Sequence, residues 1–214
     1  MVNARSLLRR LRRARPRPAA PLLAALALGL GLGPLGWHGL RVIAAGGSQP
    51  WPHGRVTYFD ASGSAAAVDA AAARWNRSGA RVRIVSAPDR GRADVVFVED
   101  GGKLRASCGP SCLGLSSTIG RPADGRVTVV LNPAIAGRMT PLSVWVAMHE
   151  LGHVLGLRHR KGTCSLMNAH AYDDSCSFAA GDAAQGPLPC GPAAGDVAAA
   201  ASLYGRDASA RPCR

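Results

Sequence analysis

Four of the six histidines of this 214-residue chain lie between Val146 and His170. His149 and His153 are four residues apart in a stretch with the pattern of a helix, so their side chains project from the same face. The two imidazoles can therefore converge on one metal ion, about 2 Å from each nitrogen. Glu150 lies beside that face, where it is well placed to contact a metal-bound water molecule. This H-E-x-x-H arrangement predicts a zinc site with a general base.

A zinc ion that takes part in catalysis needs a third protein ligand and an open fourth position. His159 can supply this ligand, but on a continuing helix it would lie about 9 Å beyond His153 along the axis. Gly156 removes the obstacle, because a residue without Cβ lets the chain turn back sharply. The string HELGHVLGLRH thus matches H-E-x-x-H-x-x-G-x-x-H at every fixed position. A helix with structural histidines and a purely structural zinc site are the alternatives to this interpretation.

The residues around the motif predict the helix that carries the first two histidines. Thr140 can cap this helix, and Pro141 suits its first position. Gly156 can end it in the left-handed conformation. Met167 follows His159 by eight residues, the order and spacing expected of a methionine turn below a three-histidine site.

Earlier and later residues predict a sheet with helices packed on it. A helix from about Ser64 to Gly79 places Val68, Ala72 and Trp75 on one face, with Trp75 as a core anchor. Residues 100–125 have an irregular pattern. Further elements are predicted as strands over 55–59, 80–86, 93–99 and 126–133, and as a helix over 195–205. The order of strand, helix and strands indicates a mixed sheet.

The segment from Val146 to Met167 resembles the metzincin metallopeptidases, and the matrixin family most closely. Its GLRH ending is similar to that of matrixins, and it lacks the glutamate that follows the third histidine in astacins. A weaker likeness covers roughly residues 50–205, through VDAAAARWN, ADVVFV and GDVAAAASLYG. The resemblance implies an α+β fold of the metzincin-like zincin type. Such a fold has a twisted mixed sheet with two long helices, an active-site helix, a Met-turn and a C-terminal helix.

The residues and the resemblance together predict a zinc-dependent endopeptidase with polypeptide substrates. One catalytic Zn²⁺, held by His149, His153 and His159, would lower the pKa of a bound water molecule towards ~7. Glu150 would take the proton and pass it to the leaving amine. Gly156 and Met167 would shape the site without moving protons. The alternative is an exported, catalytically inactive zinc-binding module for protein interaction, although the intact glutamate argues against it.

The chain departs from the matrixin pattern at several positions. No cysteine precedes Cys108, so the cysteine-switch propeptide of the family is not expected. No histidine lies between His53 and His149, so a second, structural zinc is not expected either. Asn168 and Ala169 stand where the family has a proline, which leaves the shape of the specificity pocket open. The acidic and glycine-rich stretches at 99–102 and 123–126 have a composition that can hold Ca²⁺, yet such turns are common without it.

Most of the net positive charge lies in a leader. The formal net charge is +13, but residues 1–41 hold eight arginines and no acid, which leaves +5 for the rest. An apolar stretch over 19–37 follows these arginines, as in a signal peptide or an N-terminal membrane anchor. We therefore expect a leader over 1–45, a linker over 46–54 and a peptidase domain over 55–214. The protein would be secreted, or anchored to the outer face of the cell membrane by residues 19–37.

Partners and disulfides follow from the same composition. Nucleic acid is not expected as a partner, because aromatic residues make up 5% of the chain and no known binding module is present. Membrane contact is expected only through an uncleaved apolar segment, and the domain is expected to be monomeric. All six cysteines follow the leader, and an even count in an exported protein predicts disulfides. Of the 15 possible pairings, the sequential one joins Cys108–Cys112, Cys164–Cys176 and Cys190–Cys213.

Overall fold

A five-stranded mixed sheet is the centre of the computed structural model, which describes residues 49–161, 165–169 and 190–210. The strands are β1 (Arg55–Asp60), β2 (Arg83–Ser86), β3 (Val95–Glu99), β4 (Gly114–Ser116) and β5 (Val127–Leu131). They lie in the order β2-β1-β3-β5-β4, and β4 is antiparallel to β5 while the other neighbours are parallel. The leader, and the predicted bridges to Cys164, Cys176 and Cys213, lie outside the described residues.

Four α-helices accompany the sheet in the described ranges: α1 (Ala65–Asn76), α2 (Gly101–Cys108), α3 (Pro141–Val154) and α4 (Ala194–Tyr204). The helix α3 is the predicted active-site helix, and α4 is the predicted C-terminal helix. The expected α+β architecture with a mixed sheet is therefore confirmed. No helix in these ranges combines the length and the apolar character needed to cross a membrane.

The core lies between the sheet and the helices α1 and α3. Strand β3 is apolar on both faces, as expected of a strand with neighbours on either side and covered faces, and Val95, Val96 and Phe97 are all buried. The predicted face of α1 is buried too, and Trp75 is fully enclosed. Its indole Nε1–H donates to the carbonyl oxygen of Met148 in α3 at 2.9 Å. This bond fixes the active-site helix against α1.

The stretch 100–125, predicted as irregular, in fact contains α2 and β4. Asp100 caps α2 by accepting from the backbone N–H of Lys103 at 2.8 Å. Gly101 and Gly102 stand in the first turn, and glycine weakens the local helix pattern, so the prediction was wrong there. Strand β4 has only three residues, too few to show an alternating pattern. A disulfide between Cys108 and Cys112, as predicted, closes the turn that joins these two elements.

The end of the predicted linker packs on the domain. Gln49 and Arg121 form an antiparallel bridge, with two backbone hydrogen bonds of 2.8 and 2.9 Å. Trp51 is buried, with only 3% of its surface exposed. An indole removes a large apolar area from water when it is buried, and composition alone does not reveal this. Residues 49–54 are therefore part of the folded domain, although their composition is that of a linker.

Candidate metal centre

Helix α3 has the start and the end that its sequence predicts. Thr140 Oγ1 accepts from the N–H of Ser143 at 3.1 Å, and Ser143 Oγ accepts from the N–H of Thr140 at 2.9 Å. This reciprocal pair is a capping box, and Pro141 occupies the first turn. After α3, Gly156 has a φ of +99°. Glycine adopts this left-handed region without strain, so the chain reverses here towards His159.

Beyond this turn, His159 meets the two histidines of α3. The Nε2 atom of His159 lies 3.2 Å from that of His149 and 3.1 Å from that of His153. One ligand atom from each residue lies within 4.8 Å of the others. Nitrogens that share a tetrahedral zinc at about 2.0–2.1 Å are separated by about 3.3–3.4 Å. The two spacings measured from His159 are close to this value, so the cluster can hold one zinc ion with three imidazole ligands.

The hydrogen bonds of the two helical histidines fix which nitrogen faces the cluster. His149 Nδ1 contacts the carbonyl oxygen of Leu166 at 2.7 Å, and His153 Nδ1 contacts that of Leu157 at 2.8 Å. A carbonyl oxygen only accepts, so each Nδ1 carries the hydrogen and each Nε2 presents a lone pair. His159 Nε2 carries at most one hydrogen and can donate it to only one of these two lone pairs, whereas a cation between the three nitrogens satisfies all of them. The donor set is therefore that of a cation site.

Burial keeps the imidazoles of His149 and His153 neutral. Burial, followed by the neighbouring His153, lowers the pKa of His149 to about 3. Burial also lowers the pKa of His153. His159 is exposed, so the third side of the cluster is open to solvent. Neutral imidazoles leave the full positive charge of a bound zinc uncompensated, as a Lewis acid requires.

The predicted methionine turn lies directly below α3. Met167 is fully buried, and its sulfur lies so close to Gly152 that a Cβ at that position would overlap it. The N–H of Arg160 donates to the carbonyl oxygen of Met167 at 2.9 Å. Because Arg160 follows His159, this bond ties the third histidine to the methionine turn.

The carboxylate of Asp196 holds the turn from the other side. Asp196 lies in α4 and is completely buried. It accepts from Ser165 Oγ at 2.5 Å and from the N–H of Leu166 at 2.7 Å. Leu166 is the residue whose carbonyl orients His149. Sequence reasoning missed this aspartate, because its only local signal is an acid in the first turn of a helix.

We expect Asp196→Ala to lower the free energy of unfolding by about 2 kcal/mol or more, since each buried group left without its partner costs about 1–3 kcal/mol. Chemical denaturation of the two proteins measures the difference. Ser202→Ala, an exposed position on the same helix, is the matched control. Equal stability of the two variants would contradict the role assigned to Asp196.

Strand β4 passes over Glu150, whose side chain is 4% exposed. The backbone N–H of Ser116 donates to its carboxylate. A Cβ on Gly114 would lie 2.7 Å from Glu150 Oε1, so only glycine allows this close approach. In the described part of the chain Oε2 has no hydrogen-bond partner. Burial raises the pKa of Glu150 to about 8, and the Ser116 N–H opposes this rise.

One aromatic ring packs on a histidine of the cluster. Trp145 stacks on His149 with ring centroids 5.2 Å apart and an angle of 28° between the ring planes. His53 is exposed and lies outside the cluster. Within the described ranges, the three motif histidines are the only group of three or more possible metal ligands that lies close together.

Two ligands on one helix face, and a third beyond a turn at its end, are typical of the zinc metallopeptidases. A family model described as matrixin matches residues 58–183, more than half of the chain. The chain therefore belongs to the matrixin family of zinc metallopeptidases. The family and the histidine cluster together support a catalytic zinc. No individual curated protein matches the chain.

Proposed function

We propose that this protein is a zinc-dependent endopeptidase that acts outside the cytoplasm, with Glu150 as the general base. One observation carries the proposal. The imidazoles of two histidines in α3 and of His159 converge. Beside them, Glu150 keeps one carboxylate oxygen without a partner in the described part of the chain. A binding module that only holds zinc has no use for such an oxygen.

His149, His153 and His159 would hold the zinc, which supplies Lewis acidity by lowering the pKa of a water molecule and polarising the substrate carbonyl. The chain itself supplies the proton transfer. Glu150 Oε2 is the free acceptor for the water proton, and the N–H of Ser116 restrains the rest of the carboxylate. The same glutamate then returns the proton to the leaving amine. A dication nearby favours the charged carboxylate, which the base needs.

Strand β4 supports the choice of an extended polypeptide as substrate. It is the last strand of the sheet, paired only with β5 in the described structure. An extended peptide can add to such an edge through main-chain hydrogen bonds. A peptide held along β4 would pass over Glu150, and it would extend beyond the site in both directions. This geometry favours cleavage within a chain over removal of terminal residues.

The experiment that tests this function is digestion of a mixed peptide library by the zinc-loaded, full-length protein. We expect cleavage at internal peptide bonds, loss of cleavage with a chelator, and recovery when zinc is restored. Release of terminal residues alone would contradict the endopeptidase assignment. Binding of peptides without any cleavage would favour the inactive interaction module.

Export is proposed from the leader and the cysteines, and it leads to a separate prediction. Cys108 and Cys112 form a disulfide, and Cys190 takes part in another whose partner lies outside the described residues. Thiol titration of denatured, unreduced protein recovered from outside the cell should find no free thiol. The same sample after reduction should give six, the cysteine count of the chain. Six reactive thiols before reduction would refute the disulfide prediction.

A further inference from the structure

The carboxyl end of α3 needs hydrogen-bond donors from elsewhere in the protein. The last carbonyl groups of any helix have no partner within it. In α3, the carbonyls of Gly152 and His153 accept hydrogen bonds from backbone N–H groups near the turn or far from it in sequence. Gly152 O accepts from the N–H of Leu157 at 2.9 Å. His153 O accepts from Gly156 at 2.9 Å and from the distant Gly120 at 2.8 Å. The next two carbonyls, those of Val154 and Leu155, have no backbone donor among the described hydrogen bonds.

Two aromatic side chains bind these remaining carbonyls. The indole Nε1–H of Trp51 donates to Val154 O at 2.7 Å. The hydroxyl of Tyr204 donates to Leu155 O, also at 2.7 Å. The N–H of Trp51 in turn donates to the Tyr204 oxygen at 3.4 Å, so the two residues contact each other. The start of the described domain and the last turn of α4 thus meet at the end of the active-site helix.

This end of the helix is closed to water. Val154 and Leu155 are fully buried, and Trp51 is 3% exposed. Burial raises the pKa of Tyr204 to about 12, so the phenol keeps its hydrogen at neutral pH. A buried carbonyl that loses its donor cannot recruit solvent easily and stays unsatisfied. Loss of either aromatic donor should therefore allow the end of α3 to move.

The chain that leaves this capped end carries two parts of the metal site. Leu157 comes two residues after Leu155, and its carbonyl orients His153. His159 follows two residues later, and its Nε2 lies against both other imidazoles. The backbone that carries His159 is held on its far side by the bond from the N–H of Arg160 to Met167 O. On its near side it leaves the turn, and the capped carbonyls of Val154 and Leu155 hold the start of that turn.

We propose that Trp51 and Tyr204 are positioning residues of the metal centre, which cap the carboxyl end of α3 and hold His159 in place for zinc. This inference rests on the proposed function, because it concerns the same site. Neither side chain is assigned a contact with zinc or substrate. The residues just before β1 thus contribute to the metal centre, although the sequence there predicts only a linker.

The test compares three variants of the full-length protein. Trp51→Phe and Tyr204→Phe each remove one donor; the second keeps its ring, and the first leaves a smaller aromatic ring. Tyr58→Phe is the matched control, because it also loses one tyrosine hydroxyl bond, that to Asp69 in α1. Tyr58 lies in β1, and this bond involves neither α3 nor the turn after it.

Two readouts separate positioning from general stability. The first is the zinc dissociation constant, measured by competition with a chromogenic chelator. We expect it to rise at least about tenfold in Trp51→Phe and Tyr204→Phe, in the range known for residues that orient metal ligands. The zinc dissociation constant should stay unchanged in Tyr58→Phe even if that variant unfolds more easily. The second is hydrogen exchange of the amides of residues 155–160 in zinc-free protein, which should quicken only in the first two variants.

The outcomes distinguish this inference from the proposed function. Equal weakening of zinc binding in all three variants would mean that these aromatic residues only stabilise the fold, and would overturn the inference. Unchanged zinc affinity and exchange in Tyr204→Phe would also overturn the inference, because this variant loses only a single hydroxyl group. A wild-type chain that binds no zinc would instead contradict the proposed function, and the exchange measurement would still decide the positioning role.

Discussion

Glu150→Gln is expected to keep its zinc and its fold but to lose peptidase activity by about 10²–10⁴-fold, the usual contribution of a positioned general base. The amide has the shape of the carboxylate but cannot accept the proton of the attacking water. The substitution also leaves all three proposed zinc ligands unchanged. The loss should therefore appear in kcat, with KM little changed, when both are measured on one peptide substrate.

Glu99→Gln is the natural control, because Glu99 is the only other glutamate of the chain and is exposed on β3. It should retain wild-type kcat. If Glu150→Gln cleaves the substrate as fast as the wild type, Glu150 is not the base and the mechanism fails. A loss of zinc in this variant would show instead that the glutamate helps to hold the metal.

His159→Ala is expected to bind zinc more weakly than the wild type. The loss of affinity should exceed the roughly 10–100-fold that is typical when a residue that only orients a ligand is replaced. The variant leaves two nitrogens for an ion that proteins bind with at least three ligands. His159 is the best ligand to replace, because it is exposed whereas His149 and His153 are buried. Replacing a buried imidazole would also leave a cavity and disturb the core.

Metal analysis after dialysis gives the zinc content per chain for this variant. His53→Ala provides the comparison, because His53 is an exposed histidine outside the cluster. It should retain one zinc per chain. Full zinc occupancy in His159→Ala would count against the third-ligand assignment.

Features determined by neighbouring residues could be predicted from the sequence. The capping box at Thr140 and the left-handed Gly156 depend on residues within a few positions of each other. Helical periodicity likewise identified the buried face that carries Trp75. The disulfide between Cys108 and Cys112 joins cysteines four positions apart in sequence. The motif itself is local, because His149 and His159 are separated by one helical segment and one turn.

Features that depend on distant partners could not be predicted. The bond from Trp51 to Val154 spans 103 positions, and that from Tyr204 to Leu155 spans 49. Asp196 reaches Leu166 across 30 positions. The sequence around each of these residues contains no pattern that identifies its hydrogen-bond partner. Strand β4 is similar, because its three residues become a strand only through pairing with β5.

The proposed mechanism requires one zinc held by three imidazoles, with no fourth ligand from the protein. X-ray absorption spectroscopy of the zinc-loaded protein tests this most directly, because it reports the type, number and distance of the ligands. We expect three imidazole nitrogens at about 2.0–2.1 Å and no sulfur ligand. A fourth imidazole, or a sulfur at about 2.3 Å, would mean a closed structural site and would contradict a catalytic zinc.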